Sequence, residues 1–286
     1  LTTNNFKFIG IISASIHNLG TIDNAGVITI TLTPGFGLGF RNVGTFNNKP
    51  TTGELKIDNS TVSGFTTESG STVNNEGKIA IGSTGNIGAT GILIGGSNTF
   101  NNKSTGTITI DRAVTNSISN GSTLTNEGTI KIGSINIGGL VSILNTATFT
   151  NKGILEIDRA TTNSISNTSN TFTNEGTIKL GANNGSGITA LSNTATFNNK
   201  PTASILIDRA SLTSISNLPG GTFTNEGSIT IGGTNSGSPT GIVNSSTFNN
   251  TAGEIKVDKT TLVGLSNLLG TFTNAAKITI GSADDV

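Results

Sequence analysis

The stretch TFTNEGTIKLG, Thr171–Gly181, decides how this chain folds. Near-copies stand at 123–133 (TLTNEGTIKIG), 222–232 (TFTNEGSITIG) and 271–281 (TFTNAAKITIG). A second kind stands between them: TFNNKSTGTITID at 99–111, TFTNKGILEID at 148–158 and TFNNKPTASILID at 196–208. Each copy holds two short apolar-alternating segments joined by a tight turn. Alternation with period two is the mark of a strand with one buried face.

Aligning the copies on the residue after the leading threonine gives Ile22, Phe46, Val73, Phe100, Leu124, Phe149, Phe172, Phe197, Phe223, Phe248 and Phe272. The steps run from 23 to 27 residues, and a period near 25 without helical periodicity is the signature of a solenoid. Two residues beyond each point stands an asparagine: Asn24, Asn48, Asn75, Asn102, Asn126, Asn151, Asn174, Asn199, Asn225, Asn250 and Asn274. A second strand follows with two apolar residues one apart, as in Ile130/Ile132 and Ile178/Leu180. A third ends on apolar-any-Asn, as in Ile118-Ser119-Asn120 and Ile165-Ser166-Asn167. The two coils around 60–98 break that third row with Phe65-Thr66-Thr67 and Ile92-Leu93-Ile94.

Three short strands per turn predict an all-β, right-handed parallel β-helix of about eleven coils, a single array over 1–286. Like residues then stack at about 4.8 Å, giving a rod of about 50 Å. The core column is Phe46, Phe100, Phe149, Phe172, Phe197, Phe223, Phe248 and Phe272, with Ile, Val or Leu in the other three coils. The asparagines are expected at the bends, each bonding to its equivalents above and below. Phe6-Lys7-Phe8 matches a second strand and Ile16-His17-Asn18 a third, and the chain closes on Ile278-Thr279-Ile280-Gly281. Both ends therefore read as cut mid-coil, with flanking polypeptide expected to cap them.

Consecutive coils alternate charge after the first-strand asparagine: Lys49, Glu76, Lys103, Glu127, Lys152, Glu175, Lys200, Glu226. Opposite charges one rung apart predict a chain of surface ion pairs, each worth at most about 1 kcal/mol. A second alternation sets Asp58, Asp111, Asp158, Asp208 and Asp258 against Gly82, Gly133, Gly181, Gly232 and Gly281. The true unit is therefore a pair of coils.

Composition narrows the chemistry. Charged residues are 11% of the chain, and 16 acidic and 16 basic groups cancel, which argues against nucleic acid and anionic membrane as partners. With no cysteine there are no disulfides or thiolate metal sites. No apolar run is long enough to insert in a membrane. The chain contains no methionine, so a processed or longer parent is expected, with any export signal outside this segment.

No cofactor, metal cluster or catalytic residue is expected. The aspartates recur at every second coil, and Asp111-Arg112, Asp158-Arg159 and Asp208-Arg209 read as local turn pairs. His17 is the only histidine and has no nucleophile nearby in sequence. Glu68, in the irregular coils, is where a polysaccharide-cleaving site would have to sit. The outward residues of the first strand form a Thr-x-Thr lattice: Thr123/Thr125, Thr148/Thr150, Thr171/Thr173, Thr222/Thr224 and Thr271/Thr273. Such a lattice suits a lateral packing face between rods, or plain β-propensity on a solvated face. It also resembles the ice-binding face of β-helical antifreeze proteins.

The repeats TFTNEGTIKIG and SISN resemble those of large bacterial surface proteins built on right-handed β-helices, such as autotransporter passengers and filamentous-haemagglutinin-type adhesins. More loosely, they are similar to repetitive secreted surface proteins of gliding Bacteroidetes. The resemblance implies export to the cell surface, length as function, and adhesion or filament building by self-association, with a cell-surface or glycan target. It transfers no catalytic residue.

Overall fold

A computed structural model describes residues 16–32, 37–68 and 70–281; Phe6-Lys7-Phe8 lies outside these residues. Among the described residues thirty-three strands, β1–β33 in chain order, build three parallel sheets of eleven strands each. Sheet I starts with β2 (Thr21–Asn24) and ends with β32 (Thr271–Asn274). Sheet II runs from β3 (Val27–Thr31) to β33 (Lys277–Ile280), and sheet III from β1 (Ile16–Asn18) to β31 (Val263–Asn267). Every strand pairs with the strand three places away, so the backbone winds as a right-handed parallel solenoid.

Register places identical residues over each other. Phe172 pairs with Phe149 and Phe197, Asn174 with Asn151 and Asn199, and Ile178 with Leu155 and Ile205. In sheet I the second and fourth residues of the strand turn inward and the first and third outward, as β20 (Thr171–Asn174) shows. The same alternation holds in sheet II, for example β21 (Thr177–Leu180).

The interior is one continuous apolar cluster in which Phe149, Phe172, Phe197, Phe223 and Phe248 are all fully buried. From Phe149 to Phe272 six rings stack without interruption, with centroids 4.5–4.9 Å apart and planes within 11°. That spacing is the strand spacing itself, so the parallel ladder sets the separation of the rings in the column. Phe46 and Phe100 are packed differently. Val73 and Leu124 interrupt their column, and Phe40 and Phe65 of sheet III fill the space instead. Phe40 and Phe65 stack on each other at 4.9 Å, while Phe65 meets Phe100 edge-on.

Sheet II connects to sheet III by two kinds of turn. Eight residues separate the strands at 82–89, 133–140, 181–188 and 232–239, and five at 111–115, 158–162, 208–212 and 258–262. The long turns open on a left-handed glycine, as at Gly133 (φ 69°). A Cβ there would also lie 1.9 Å from the Asp158 carbonyl oxygen, so both the angle and the close approach demand glycine. In the short turns the left-handed residue is Arg112, Arg159, Arg209 or Lys259, one place after the aspartate.

Two outcomes test this packing. Phe197→Ala should lower stability by about 3–5 kcal/mol in denaturant unfolding, whereas Phe197→Leu, which copies the natural Leu124 rung, should cost about 1.5 kcal/mol or less. Deleting residues 151–198, one pair of coils, should leave a folded rod shorter by about 10 Å in small-angle scattering. A molten or unfolded deletion product would contradict independent rungs.

Candidate functional site

The polar interior is the most organised chemistry of the molecule. All eleven first-strand asparagines form one column, and each of the ten neighbouring pairs is joined by an Nδ2 donor and an Oδ1 acceptor at 2.7–2.8 Å. Every bond points the same way along the rod, from the earlier rung to the later. The second Nδ2 proton supplies the bend between sheets I and II: Asn126 donates to the Ile154 carbonyl, Asn151 to Thr177 and Asn174 to Ser204. Nine members from Asn48 to Asn250 are buried, at most 1% exposed, and an unpaired amide there would carry a full desolvation penalty.

A parallel column runs along sheet III. Asn120, Asn145, Asn167, Asn193, Asn217, Asn244 and Asn267 are linked in the same direction, as are Asn18 and Asn42. Between them the positions hold Thr67 and Ile94. Asn98, from the following bend, repairs the gap by donating to Thr67 Oγ1 at 2.9 Å and accepting the Ser71 amide at 3.0 Å. Nothing in the repeat pattern marks Asn98 for this, because it stands outside the periodic column. Three buried hydroxyls without a hydrogen-bond partner, on Ser60, Thr66 and Ser71, lie in this irregular region.

The aspartate row is structural in a specific way. Asp111 accepts from the Ile135 and Asn136 amides, and Asp158 from the Asn183 and Asn184 amides and the Asn183 side chain. The neighbouring arginine faces the opposite direction. Arg112 donates to the Gly82 and Ser83 carbonyls, Arg159 to Gly133 and Ser134, and Arg209 to Gly181 and Ala182. The turn pairs expected from sequence are therefore two-way staples: the aspartate holds the long turn of the next rung and the arginine that of the previous one. A buried carboxylate fed by two amides is satisfied as an anion-binding turn in reverse.

Glu68 accepts a two-pronged hydrogen bond from Arg41 on sheet III. That hydrogen bond, chiefly, holds the Glu68 carboxyl below the ordinary glutamate value. An anionic, guanidinium-bound Glu68 is a poor proton donor. His17 stands exposed on the same outward row, in register with Arg41. No group of three or more His, Asp or Glu with metal-binding spacing occurs among the described residues.

The surface charges pair across rungs, in two rows rather than one. After sheet I, Lys103 reaches Glu127 at 4.0 Å and Lys200 reaches Glu226 at 3.3 Å, while Lys49 turns to Asp23. On sheet II, Glu156 sits between Lys131 (3.0 Å) and Lys179 (3.1 Å), and Glu54 binds both Lys56 and Lys78. Burial alone would raise the Glu156 carboxyl, but the two lysines outweigh it and hold it below its ordinary value.

The threonine lattice lies outward on sheet I. Thr123, Thr148 and Thr271 are exposed, and Thr125, Thr150, Thr171, Thr173, Thr222 and Thr224 half-buried. Thr273 is exposed beside them. At the N-terminal end the lattice gives way to an outward amide chain, in which Asn101 donates to Asn74, Asn74 to Asn47 and Asn47 to Asp23.

Comparison with protein-family models, characterised proteins and solved structures returns no significant match.

Asn174→Ala removes the partner of the Asn151 amide, the Asn199 side-chain carbonyl and the Ser204 carbonyl, and should cost at least about 2 kcal/mol, at about 1–3 kcal/mol for each group left unsatisfied. Asp158→Ala should raise amide exchange selectively in residues 181–188. The Glu156 carboxyl should titrate by NMR below a free glutamate, because Lys131 and Lys179 favour its charged form. Because its folded pKa is depressed, its contribution to stability is complete above the free glutamate value and fades as pH falls through the folded pKa. Lys131→Ala with Lys179→Ala should bring the midpoint back up.

Proposed function

We propose that this chain is a rigid structural and adhesive segment of a bacterial surface filament or appendage, displayed outside the cell and able to bundle with its own kind. The observation that carries the reading is the unbroken asparagine column. Ten like-directed amide bonds couple eleven rungs, and both the aspartates and the arginines of the turns reach to adjacent rungs. Polar side chains that other folds spend on a pocket are spent here on axial cohesion. A stack of this kind converts chain length into reach, adding about 4.8 Å per coil of about 25 residues without altering the rest. The resemblance of the repeats to adhesin and autotransporter-passenger coils supports the same reading, and a cell-surface or glycan target fits an adhesive role.

Immunogold electron microscopy of native cells tests it. Label on projections or on the outer surface is expected, and label confined to the cell interior would overturn the proposal. Force spectroscopy gives a second measure. Pulling on the ends should peel coils in extension steps of about 80–90 Å or multiples of that, from 25 residues at about 3.3–3.6 Å each.

A further inference from the structure

The charges of the rod are segregated. Strands of sheet II carry Glu54, Lys56, Lys78, Lys131, Glu156 and Lys179 among others, whereas sheet III has no charged residue in any strand from β7 (Ser63–Thr67) to β31. Its outward columns hold Ser119, Ser166, Ser192 and Ser216 interspersed with Leu93, Leu144 and Val243. Along the border with the turns from sheet II runs a stripe of exposed aliphatic side chains: Val62, Val114, Leu140, Ile188, Leu212 and Leu262, each 46–77% exposed. Sheet I is equally uncharged from β5 (Thr45–Asn48) onward, but its outward columns are threonine and asparagine throughout.

The border is also corrugated. The five-residue turn at Arg112, Ala113 and Val114 floors a groove of about 340 Å³ whose walls come from Asn86 of one long turn and Asn136, Ile137 and Leu140 of the next. Long and short turns alternate strictly from residue 82 to residue 262, so ridge and groove repeat every two rungs, about 9.6 Å.

We infer that sheet III and its aliphatic border form a lateral seam whose occupant is a second copy of this chain. Three observations select that occupant. First, the corrugation has a period of two rungs sustained over about 40 Å, and the surface that shares it is another rod of the same repeat. An offset of one rung seats the long turns of each rod over the short turns of the other. Second, the area is right. Nine rungs at about 4.8 Å by five residues at about 3.3 Å give roughly 700 Å², and the border raises this to the roughly 800 Å² per partner of a standard stable interface. Third, the strands of sheet III carry no charge from β7 onward, and Arg112, Arg159 and Arg209 of the border are already bonded to carbonyls of the preceding long turns, so two copies meet with few ions to desolvate, while the charged sheet II of each stays in water. An apolar stripe of this length is not a usual feature of a solitary soluble surface. The inference rests on the bundling part of the proposed function and assigns it to sheet III rather than to the threonine lattice.

The test uses the whole chain, at concentrations from about 1 to 100 µM, by light scattering after size exclusion. The chain should associate, with Ser166→Lys plus Ser192→Lys weakening association at least 100-fold while circular dichroism stays that of the parent. Thr173→Lys plus Thr224→Lys, on sheet I, should leave association unchanged. The chain has no cysteine, so Ser192→Cys offers a single thiol, which should cross-link as a dimer under mild oxidation far faster than Thr224→Cys. Association lost on sheet I substitution and kept on sheet III substitution would overturn this seam and leave bundling in place. A strict monomer at 100 µM would overturn both, while surface labelling of native cells would still stand or fall separately.

Discussion

Everything in this rod depends on holding one rung directly above the next, and the buried amide column imposes that condition. Each buried Asn Nδ2 of the column has two protons and two fixed acceptors, the next Asn Oδ1 and a bend carbonyl, as Asn126 shows with Asn151 and Ile154. Turning the amide over would face oxygen to oxygen at both contacts, so its orientation is determined, and with it the direction of the whole chain of bonds. Bonds aligned head to tail in a dry interior polarise one another. A slip by one residue would place the asparagines outside and threonines in the core, losing every bond at once. The strand register is thus specified more tightly than hydrophobic burial alone would require, since Phe, Ile, Val and Leu are interchangeable in the core column and Asn is invariant in its own.

A fixed register pushes all variation into the turns. Coils differ by up to four residues in length, and all three bends share the variation: turns of eight and five residues alternate between sheets II and III from residue 82 onward, and the other two bends range from two to five residues. A long turn leaves backbone amides and carbonyls that cannot pair within their own rung. The short turns on either side satisfy them, the aspartate accepting from one and the arginine donating to the other. This explains a residue choice that looks costly. Arg112, Arg159 and Arg209 adopt left-handed φ near 55°, where glycine would be free of strain. The strain, of order 1 kcal/mol, is offset because only a long donor at that position reaches the carbonyls of the preceding long turn.

Much of this architecture could be read from spacing. The period, the phenylalanine and asparagine columns and the three-strand coil all follow from side chains recurring at one register, which a linear sequence displays directly. What escaped was chemistry that joins residues at unequal spacings. Asp158 looked local because Arg159 is its neighbour in sequence, yet its partners are Asn183 and Asn184, 25 and 26 residues on, in a loop without a repeated motif. Asn98 escaped for the same reason, as a non-periodic residue mending a periodic column. The ionic ladder was foreseen as one continuous row and exists as discrete pairs over two rows, because flexible lysines at rung spacing choose among several carboxylates. Neither the ladder nor the lattice names a role, since each is compatible with any rod of this length.

A stack of near-identical rungs builds recognition differently from a globular fold. A pocket needs several unlike side chains brought to one place, and among the described residues the departures from the repeat, such as the Arg41–Glu68 pair and Asn98 beside Thr67, build no such constellation. A column, by contrast, needs one kind of side chain recurring once per rung. Its effect is multiplied by the number of rungs, so a modest preference per residue becomes a face about 50 Å long. The three faces have diverged on those terms: sheet II by opposite charges, sheet I by hydroxyls and amides, sheet III by serine and aliphatics. Because the first-strand asparagine column holds the rungs together from inside, such outward columns are free to change without endangering the stack. The chemistry of an entire face, rather than of any single residue, is therefore the unit on which binding by this molecule must act.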